Sequence, residues 1–249
     1  MLYKVGAFPI DMAEALEENS GPFDGLTQNS ENFTQYNAIL LGLINDHPLT
    51  IEQIVEVCFR SWNSLMSSSI SEADLRFDRD IFVDGRVIGN LLHFLVPYHL
   101  SQVSEGWRQE QAKIDKDVVY IPDVRYSFEM KGTTQGGNAV YGNRSYAQES
   151  IDPDKPDISG YFLALNYTKM NEDNPGNSTI ARIRFGWLDK SDWTGQAQPT
   201  GQQAVPTLFA RKHKLAELWP NPVEYLHVNE SSLDRLKQSV SQILGQEEE

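Results

Sequence analysis

The stretch that decides the fold runs from Lys116 to Thr134 and reads KDVVYIPDVRYSFEMKGTT. β-Branched and aromatic residues lead up to Pro122-Asp123, begin again after this pair, and end at Gly132. Two such runs separated by turn-forming residues are typical of a β-hairpin, and proline followed by aspartate favours a turn. The sequence therefore predicts two neighbouring antiparallel strands in the middle of the chain.

The register of this hairpin decides which charged side chains share a face. A three-residue loop pairs Ile121 with Arg125. Asp117 then lies directly opposite Glu129, with the two Cβ atoms roughly 5 Å apart. Lys131 follows Glu129 by two residues and shares its face, roughly 7 Å further along the strand. A loop one residue shorter would instead put Asp117 and Glu129 on opposite faces.

Two carboxylates opposite each other weaken a sheet unless something binds them. Mg²⁺ is commonly held by one or two carboxylates together with phosphate oxygens of the substrate. A nearby lysine is then able to orient or deprotonate an attacking water and to offset charge on the phosphate. The sequence thus predicts a site built from Asp117, Glu129 and Lys131. The alternative is an edge hairpin whose solvent face carries ordinary charged residues.

At these residues the chain resembles the nuclease superfamily written PD-(D/E)xK. The continuation from Gly132 to Thr134, followed by YGNRSYA at Tyr141–Ala147, is similar to type II restriction endonucleases, in particular a ScaI-like subgroup. The resemblance is carried by residues 113–150 and extends more weakly to about residue 210. It implies Mg²⁺-dependent, sequence-specific cleavage of double-stranded DNA by a homodimer, leaving 5′-phosphates. It also implies that Asp117 and Glu129 bind metal and that Lys131 positions or activates water.

The literal Pro122-Asp123 pair lies only six residues before Glu129, at the tip of the predicted hairpin. We therefore assign the metal-binding aspartate to Asp117 and treat Asp123 as a turn former, with Asp123 as the alternative assignment. In the resembled family, the preceding helix sometimes supplies another acid. Asp84 is the candidate here, whereas His93 is interpreted as a core or surface histidine.

Several polar segments after the hairpin are candidates for DNA contact. Arginine reads guanine, and asparagine or glutamine reads adenine, through paired hydrogen bonds in the major groove. The segment 189–206 is rich in Gln, Gly and Thr, and residues 211–214 form a basic cluster suited to phosphates. The candidates are Thr133, Thr134, Gln135, Asn138, Asn143, Arg144, Ser145, Arg182, Arg184, Gln196, Gln202, Arg211, Lys212 and Lys214. The alternatives are that Asn143 caps a helix and that Arg182 and Arg184 form the solvent side of an edge strand.

Periodicity predicts the remaining elements. Helical spacing of apolar residues marks 30–45, 50–66, 86–100 and 231–244, and the second of these opens with a capping box from Thr50 and Gln53. Residues 160–167 and 179–187 have strand character. We predict an α/β fold, a mixed-sheet restriction-endonuclease-like core flanked by helices. An N-terminal helical portion would span 1–69, and the core with its C-terminal helix 70–249.

Composition limits the possible functions. The formal net charge of −14 argues against general affinity for nucleic acid, but residues 1–84 carry 4 basic and 14 acidic side chains, and residues 125–214 carry 11 and 9. The single cysteine, Cys58, excludes an internal disulfide, and no apolar run is long enough to span a membrane. With no signal peptide apparent, we expect a cytoplasmic prokaryotic protein.

Two other functions are compatible with these patterns. One is a nuclease of the same superfamily that acts in repair or phage defence. The other is a non-catalytic helix-turn-helix DNA-binding regulator that uses the helices at 30–66.

Overall fold

The computed structural model describes residues 21–134, 136–148, 158–195 and 203–245. Its main element is a six-stranded mixed sheet in the order β11-β8-β7-β5-β4-β3. The strands are β3 (Trp107–Gln109), β4 (Val118–Tyr120), β5 (Phe128–Thr133), β7 (Gly160–Tyr167), β8 (Ile180–Leu188) and β11 (Leu215–Trp219). Only the β5–β7 pair in this sheet is parallel. The predicted α/β class is confirmed.

Five helices accompany the sheet in the described part of the chain: α1 (Phe33–Asp46), α2 (Ile51–Ser67), α3 (Gly85–Val103), α4 (Leu208–His213) and α5 (Glu230–Ile243). The predicted capping box at Thr50 and Gln53 is present, so the α2 start is determined locally. Asp84 caps the N-terminus of α3, since its carboxylate accepts hydrogen bonds from the backbone N–H groups of Arg86 and Val87. The helix continues past Pro97 to Val103.

Helices α1, α2, α3 and α5 pack on one face of the sheet and share its core, whereas the short α4 lies beside β11 at the edge of the sheet. Tyr161 on β7 donates a hydrogen bond to the carbonyl of Leu43 on α1 at 3.0 Å. Tyr36 and Trp62, from α1 and α2, belong to the same buried cluster as Tyr161. In the described residues, α1 and α2 pack on the sheet. The division into an N-terminal helical portion and a core at residue 69 stays a prediction.

The other face of the sheet carries a smaller sheet with the strand order β6-β10-β9. These strands are β6 (Gly142–Asn143), β9 (Trp193–Gly195) and β10 (Gln203–Pro206). They surround a second apolar cluster, to which Phe162, Ala164 and Trp193 belong. Because side chains alternate along β7, Phe162 and Ala164 face this smaller sheet, whereas Tyr161 and Leu163 face the helices.

A short hairpin of β1 (Ser69–Ile70) and β2 (Leu75–Arg76) connects α2 to α3. Within the described ranges, none of the helices has the length and apolar character needed to cross a membrane.

Candidate active site

The central hairpin has the predicted register. Val118 pairs with Phe128, which places Asp117 opposite Glu129. The loop is longer than predicted, because a 3-10 turn occupies Val124–Tyr126. The expected pairing of Ile121 with Arg125 was therefore wrong.

Asp123 forms this turn. Its carboxylate accepts a hydrogen bond from the backbone N–H of Arg125 at 3.1 Å. It also forms an ion pair with the Arg125 guanidinium at 2.7 Å. These contacts lower the pKa of Asp123, chiefly through the guanidinium hydrogen bond. Asp123 therefore has a structural role at the tip of the hairpin.

Three charged groups meet on the strand face beside the smaller sheet. The Lys131 ammonium nitrogen lies 3.0 Å from Glu129 Oε2 and 3.5 Å from Asp117 Oδ2. Asp117 Oδ2 also accepts a hydrogen bond from the Met130 backbone N–H at 2.7 Å. In the parallel register Glu129 aligns with Phe162 and Lys131 with Ala164, so the pleat directs both toward the second apolar cluster. The side chains of Asp117, Glu129 and Lys131 are 15%, 10% and 15% exposed.

This arrangement keeps Glu129 and Lys131 charged. Burial would raise the pKa of Glu129, but the ammonium groups of Lys131 and Lys116 outweigh burial and lower that pKa to about 2. Burial would likewise lower the pKa of Lys131, but the carboxylates of Asp117 and Glu129 raise it well above the usual range of lysine. At neutral pH Glu129 is therefore a carboxylate and Lys131 an ammonium group.

Three further residues surround this set. The Tyr146 hydroxyl donates a hydrogen bond to Glu129 Oε2 at 2.9 Å. His93 Nδ1 on α3 lies 3.6 Å from Asp117 Oδ1. The Glu110 backbone N–H donates a hydrogen bond to the Asp117 carbonyl at 3.3 Å. Partial burial raises the pKa of Glu110, and the nearby Asp117 carboxylate raises it further.

The sequence interpretation did not assign these three residues to the site. Asp84, the residue preferred on α3, instead caps that helix. Glu110 lies one position beyond the last paired residue of β3. Extension of the β3–β4 register by one pair would have placed it opposite Asp117. For Tyr146 and His93, sequence spacing carries no such signal.

The smaller sheet brings the two predicted recognition segments together. Asn143 on β6 pairs with Gln203 on β10, and Gly195 on β9 pairs with Ala204. The segment 196–202 therefore connects β9 to β10, and Gln203 at the start of β10 lies beside Asn143. Arg144 and Ser145 follow in an exposed 3-10 turn, and the Asn143 side chain makes no capping hydrogen bond there.

The two arginines of β8 have different environments. Arg184 is 1% exposed, and its guanidinium donates to the Ala139 carbonyl at 3.1 Å and to Asn166 Oδ1 at 3.0 Å. Arg182 is half-buried, forms an ion pair with Glu217 at 2.9 Å, and donates to Asn138 Oδ1 at 2.8 Å. Both arginines therefore secure the loop before β6, and they are not the solvent side of an edge strand.

The basic cluster at 211–214 is divided between surface and interior. Lys212 is exposed and Arg211 half-buried. Lys214 is buried, and its ammonium group lies 2.7 Å from Asp189 Oδ2 and 2.8 Å from Asp192 Oδ2. We therefore leave Lys214 and Arg184 out of the proposed DNA-contacting set.

The remaining candidates lie near the end of β5 or beyond the described residues. Thr133 ends β5, and Thr134 lies against Gly85 at the start of α3. Both threonines are partly exposed. Gln135, Gln196 and Gln202 lie outside the described residues.

The donor set suits a hard divalent cation. In the described ranges, no three or more His, Cys, Asp or Glu side chains are grouped as a metal site. Mg²⁺ does not require such a group, because one or two carboxylates complemented by water and substrate oxygens suffice. Asp117 and Glu129 provide two carboxylates, and their charge exceeds that of the single ammonium between them. The residues present therefore fit Mg²⁺.

Fold and site together define a class. The mixed six-stranded sheet flanked by helices is consistent with a restriction-endonuclease-like core. Residues 21–219 match the model of the ScaI restriction endonuclease family. Type II restriction enzyme ScaI from Streptomyces caespitosus is 35% identical over 176 residues, which cover 70% of this chain and 76% of that enzyme. The chain belongs to the ScaI restriction endonuclease family and is a type II restriction enzyme.

Proposed function

We propose that this enzyme hydrolyses phosphodiester bonds of double-stranded DNA at a specific sequence, that it requires Mg²⁺, and that it leaves 5′-phosphate ends. The observation that carries the proposal is the convergence of Asp117, Glu129 and Lys131 in a chain of the ScaI family. This set corresponds to the acid, the Glu-x-Lys pair and the hairpin of the PD-(D/E)xK superfamily. The proposal accounts for the two carboxylates that face each other across the hairpin.

Each residue has a defined task in this proposal. Asp117 and Glu129 bind Mg²⁺, which when bound polarises phosphoryl oxygens and lowers the pKa of water. The Lys131 ammonium donates hydrogen bonds to the attacking water and to a phosphate oxygen, and so offsets the charge that builds up in the transition state. The Met130 N–H fixes one oxygen of the Asp117 carboxylate, and His93 lies 3.6 Å from the other.

Replacement of the central residues tests the assignment. We expect Glu129→Ala and Lys131→Ala each to reduce cleavage at least about 100-fold, because the first removes a proposed Mg²⁺ ligand and the second removes the ammonium that offsets transition-state charge. Binding of a specific duplex in Ca²⁺ and the far-UV circular dichroism spectrum should stay close to wild type. Near-normal cleavage by either variant in a plasmid digest with Mg²⁺ would contradict the assignment.

A matched pair of aspartates tests the choice between Asp117 and Asp123. Asp117→Asn should abolish cleavage, because a carboxylate beside Lys131 is removed. Asp123→Asn should cut at close to the wild-type rate, because Asp123 contacts only the turn and Arg125 in the described hairpin. The opposite result would assign the metal-binding role to Asp123.

The DNA interface in this proposal is the smaller sheet. Exposed Asn143, Arg144 and Ser145 would contact bases or phosphates beside the segment 196–202, which carries Gln196 and Gln202. Thr133, Thr134, Gln135 and Asn138 are further proposed DNA contacts, and Arg211, Lys212 and Arg182 would approach phosphates. Discrete fragments from a long plasmid would support sequence-specific cutting, whereas smears or nicks would favour a structure-specific nuclease.

A homodimer and a cytoplasmic location complete the proposal. One set of Asp117, Glu129 and Lys131 hydrolyses one bond at a time. Two copies related by a two-fold axis would cut both strands of a symmetric site, in the compartment that incoming DNA reaches. Sedimentation velocity with the cognate duplex should show two chains per duplex; one chain per duplex would contradict the dimer.

The helix-turn-helix alternative receives no support from the helices. α2 carries nine buried residues, including Val55, Phe59 and Trp62, and packs against α3 and α5. A recognition helix needs an exposed face to enter the major groove. The family match, in addition, is to an enzyme.

A further inference from the structure

Tyr146 joins the catalytic face of the main sheet to the smaller sheet. Its hydroxyl donates to Glu129 Oε2 at 2.9 Å. Its ring centroid lies 5.2 Å from the Lys131 ammonium nitrogen. On the other side, the ring meets Trp193 edge-on, with centroids 4.8 Å apart and planes at 85°. One side chain therefore contacts two residues of the proposed catalytic set and the first residue of β9.

The chain around Tyr146 carries the groups proposed to contact DNA. Arg144 and Ser145 precede Tyr146 in the same 3-10 turn and are exposed. Asn143, just before that turn, pairs with Gln203, which follows the segment 196–202. Any force that DNA exerts on this turn acts within two residues of the Tyr146 ring.

The contact between Tyr146 and the smaller sheet leaves little freedom. A Cβ atom added at Gly142 would lie 2.7 Å from Trp193 Cζ3 and 2.9 Å from Tyr146 Cδ2, so glycine is needed for the two rings to pack over β6. Trp193 is itself 6% exposed and packs on Phe162 of β7, with ring centroids 5.6 Å apart. In such a packed group, a shift of the turn moves the ring instead of being absorbed by empty space.

We propose that Tyr146 is a positioning residue that couples DNA contact at the 143–145 turn to the orientation of the Glu129 carboxylate. The inference rests on the proposed function, because it assigns Glu129 to the site of cleavage. The hydroxyl proton holds one carboxylate oxygen, Oε2, while Lys131 holds the same oxygen from another side. This contact is made without DNA, so Glu129 is oriented in the free protein, and contact of DNA with the turn acts on that orientation through the Tyr146 ring.

Tyr146→Phe tests this coupling, because it removes the hydrogen bond and keeps the ring between Lys131 and Trp193. We expect kcat to fall about 10- to 100-fold and the Mg²⁺ concentration for half-maximal cleavage to rise, as is typical when a group that orients a metal ligand is removed. KM for the duplex and specific binding in Ca²⁺ should not change. Tyr98→Phe on α3, whose ring is 59% exposed, is the matched control and should equal wild type.

Gly142→Ala provides a second route to the same result. The added methyl group separates the Trp193 and Tyr146 rings without removing any polar atom, so it should displace the hydroxyl from Glu129. We expect a lower kcat in this variant and a smaller ratio of cleavage at the cognate site to cleavage at sites that differ by one base pair. Gly136→Ala, where an added Cβ meets nothing within 4 Å, is the matched control.

A readout that does not depend on cleavage separates this inference from the proposed function. Calorimetric titration of Mn²⁺ into each free protein should show weaker binding to Tyr146→Phe than to wild type, by about 10-fold or more. Wild-type kcat, Mg²⁺ dependence and Mn²⁺ affinity in Tyr146→Phe would overturn the positioning role. Loss of specific duplex binding by that variant would also overturn it, in favour of a direct DNA contact. A wild-type protein that does not cleave would refute the proposed function, and the Mn²⁺ comparison would still decide the role of Tyr146.

Discussion

His47 shows at the residue scale how a polar group is kept in an aromatic core. Its ring is 6% exposed and is surrounded by Trp107, Tyr126, Phe128, Tyr161 and Phe185. Nδ1 accepts a hydrogen bond from the Leu49 N–H at 3.2 Å, so Nε2 donates to the Tyr126 carbonyl at 3.1 Å. Both ring nitrogens are satisfied in the neutral form, and burial lowers the pKa of His47 to about 4.

This pKa predicts acid sensitivity. Because the folded pKa lies below the ordinary value of 6.5, the unfolded chain binds more protons between these values, and the free energy of unfolding falls as the pH drops from 6.5 toward 4. The loss should reach about 3 kcal/mol. Urea unfolding of His47→Asn should show a smaller decrease over this range than wild type, whereas the exposed control His227→Asn should follow wild type. Equal pH dependence in all three proteins would contradict this prediction.

A buried ion cluster at Lys214 provides a second test at the residue scale. Lys214 is 2% exposed and lies between Asp189 and Asp192, whose carboxylates would stay buried without it. Lys214→Met should therefore lower the free energy of unfolding by about 3–5 kcal/mol. The exposed neighbour allows a matched control, because Lys212→Met should change that free energy by less than about 0.5 kcal/mol. Similar denaturant midpoints for the two variants would show that the cluster is not essential to the fold.

At the scale of elements, β9 and β10 form a hairpin that supports the smaller sheet independently of the sequence between them. Their register runs from the Gly195–Ala204 pair to the Trp193–Pro206 pair, and Trp193 and Ala204 are buried. The stability of the hairpin therefore comes from packing at its base. The segment 196–202, which we propose reads DNA, is therefore not needed for that stability.

Replacement of residues 196–202 by Gly-Ser-Gly tests this separation. The unfolding midpoint should stay near wild type, because the paired and buried residues are retained. Specific binding should fall on the order of 10-fold or more for each base that the segment no longer reads, while binding to unrelated DNA stays the same. Changing Glu172 and Asp173 to glycine in the exposed β7–β8 loop is the control. Unaltered discrimination between cognate and unrelated duplexes would remove this segment from the proposed interface.

At the scale of the whole molecule, charge is distributed unevenly. The chain carries a formal net charge of −14, and the first 84 residues contain 14 acidic against 4 basic side chains. Residues 125–214, which include the three strands of the smaller sheet, carry 11 basic and 9 acidic side chains. DNA should therefore be attracted to the part of the molecule that carries the smaller sheet more than to the acidic first 84 residues.

Salt dependence measures this asymmetry. Lys212→Gln should weaken binding of cognate and unrelated duplexes equally and reduce the slope of log K against log salt concentration by about 1, as expected when one phosphate is no longer neutralised. Lys237→Gln on α5 is the matched control and should leave the slope unchanged, because α5 packs against α2 on the helical face. Fluorescence anisotropy between about 50 and 200 mM salt, a range over which such effects are resolved, measures both slopes. An equal decrease of slope in both variants would contradict a one-sided interface.

Local patterns in the sequence were enough to predict helices α1, α2, α3 and α5, the long strands β7 and β8, and the placement of Glu129 and Lys131 on one face. Strand alternation requires residues two apart to share a face, and the Thr50 capping box needs only its own turn. Even the hairpin register was recoverable, because the two strands are joined by a few residues. The longer 3-10 loop did not alter that register.

Only the tertiary structure decided which distant side chains complete the site and which are buried. Tyr146 and His93 reach Glu129 and Asp117 because the smaller sheet and α3 pack against the hairpin. Arg184 and Lys214 were predicted to be surface cations. In the fold both are buried: Arg184 donates hydrogen bonds to carbonyl and amide oxygens, and Lys214 pairs with two carboxylates. Periodicity specifies the face on which a side chain lies. It does not specify what packs against that face, because this depends on contacts between segments far apart in the chain. Many arrangements of those segments have comparable free energies until the whole core is assembled.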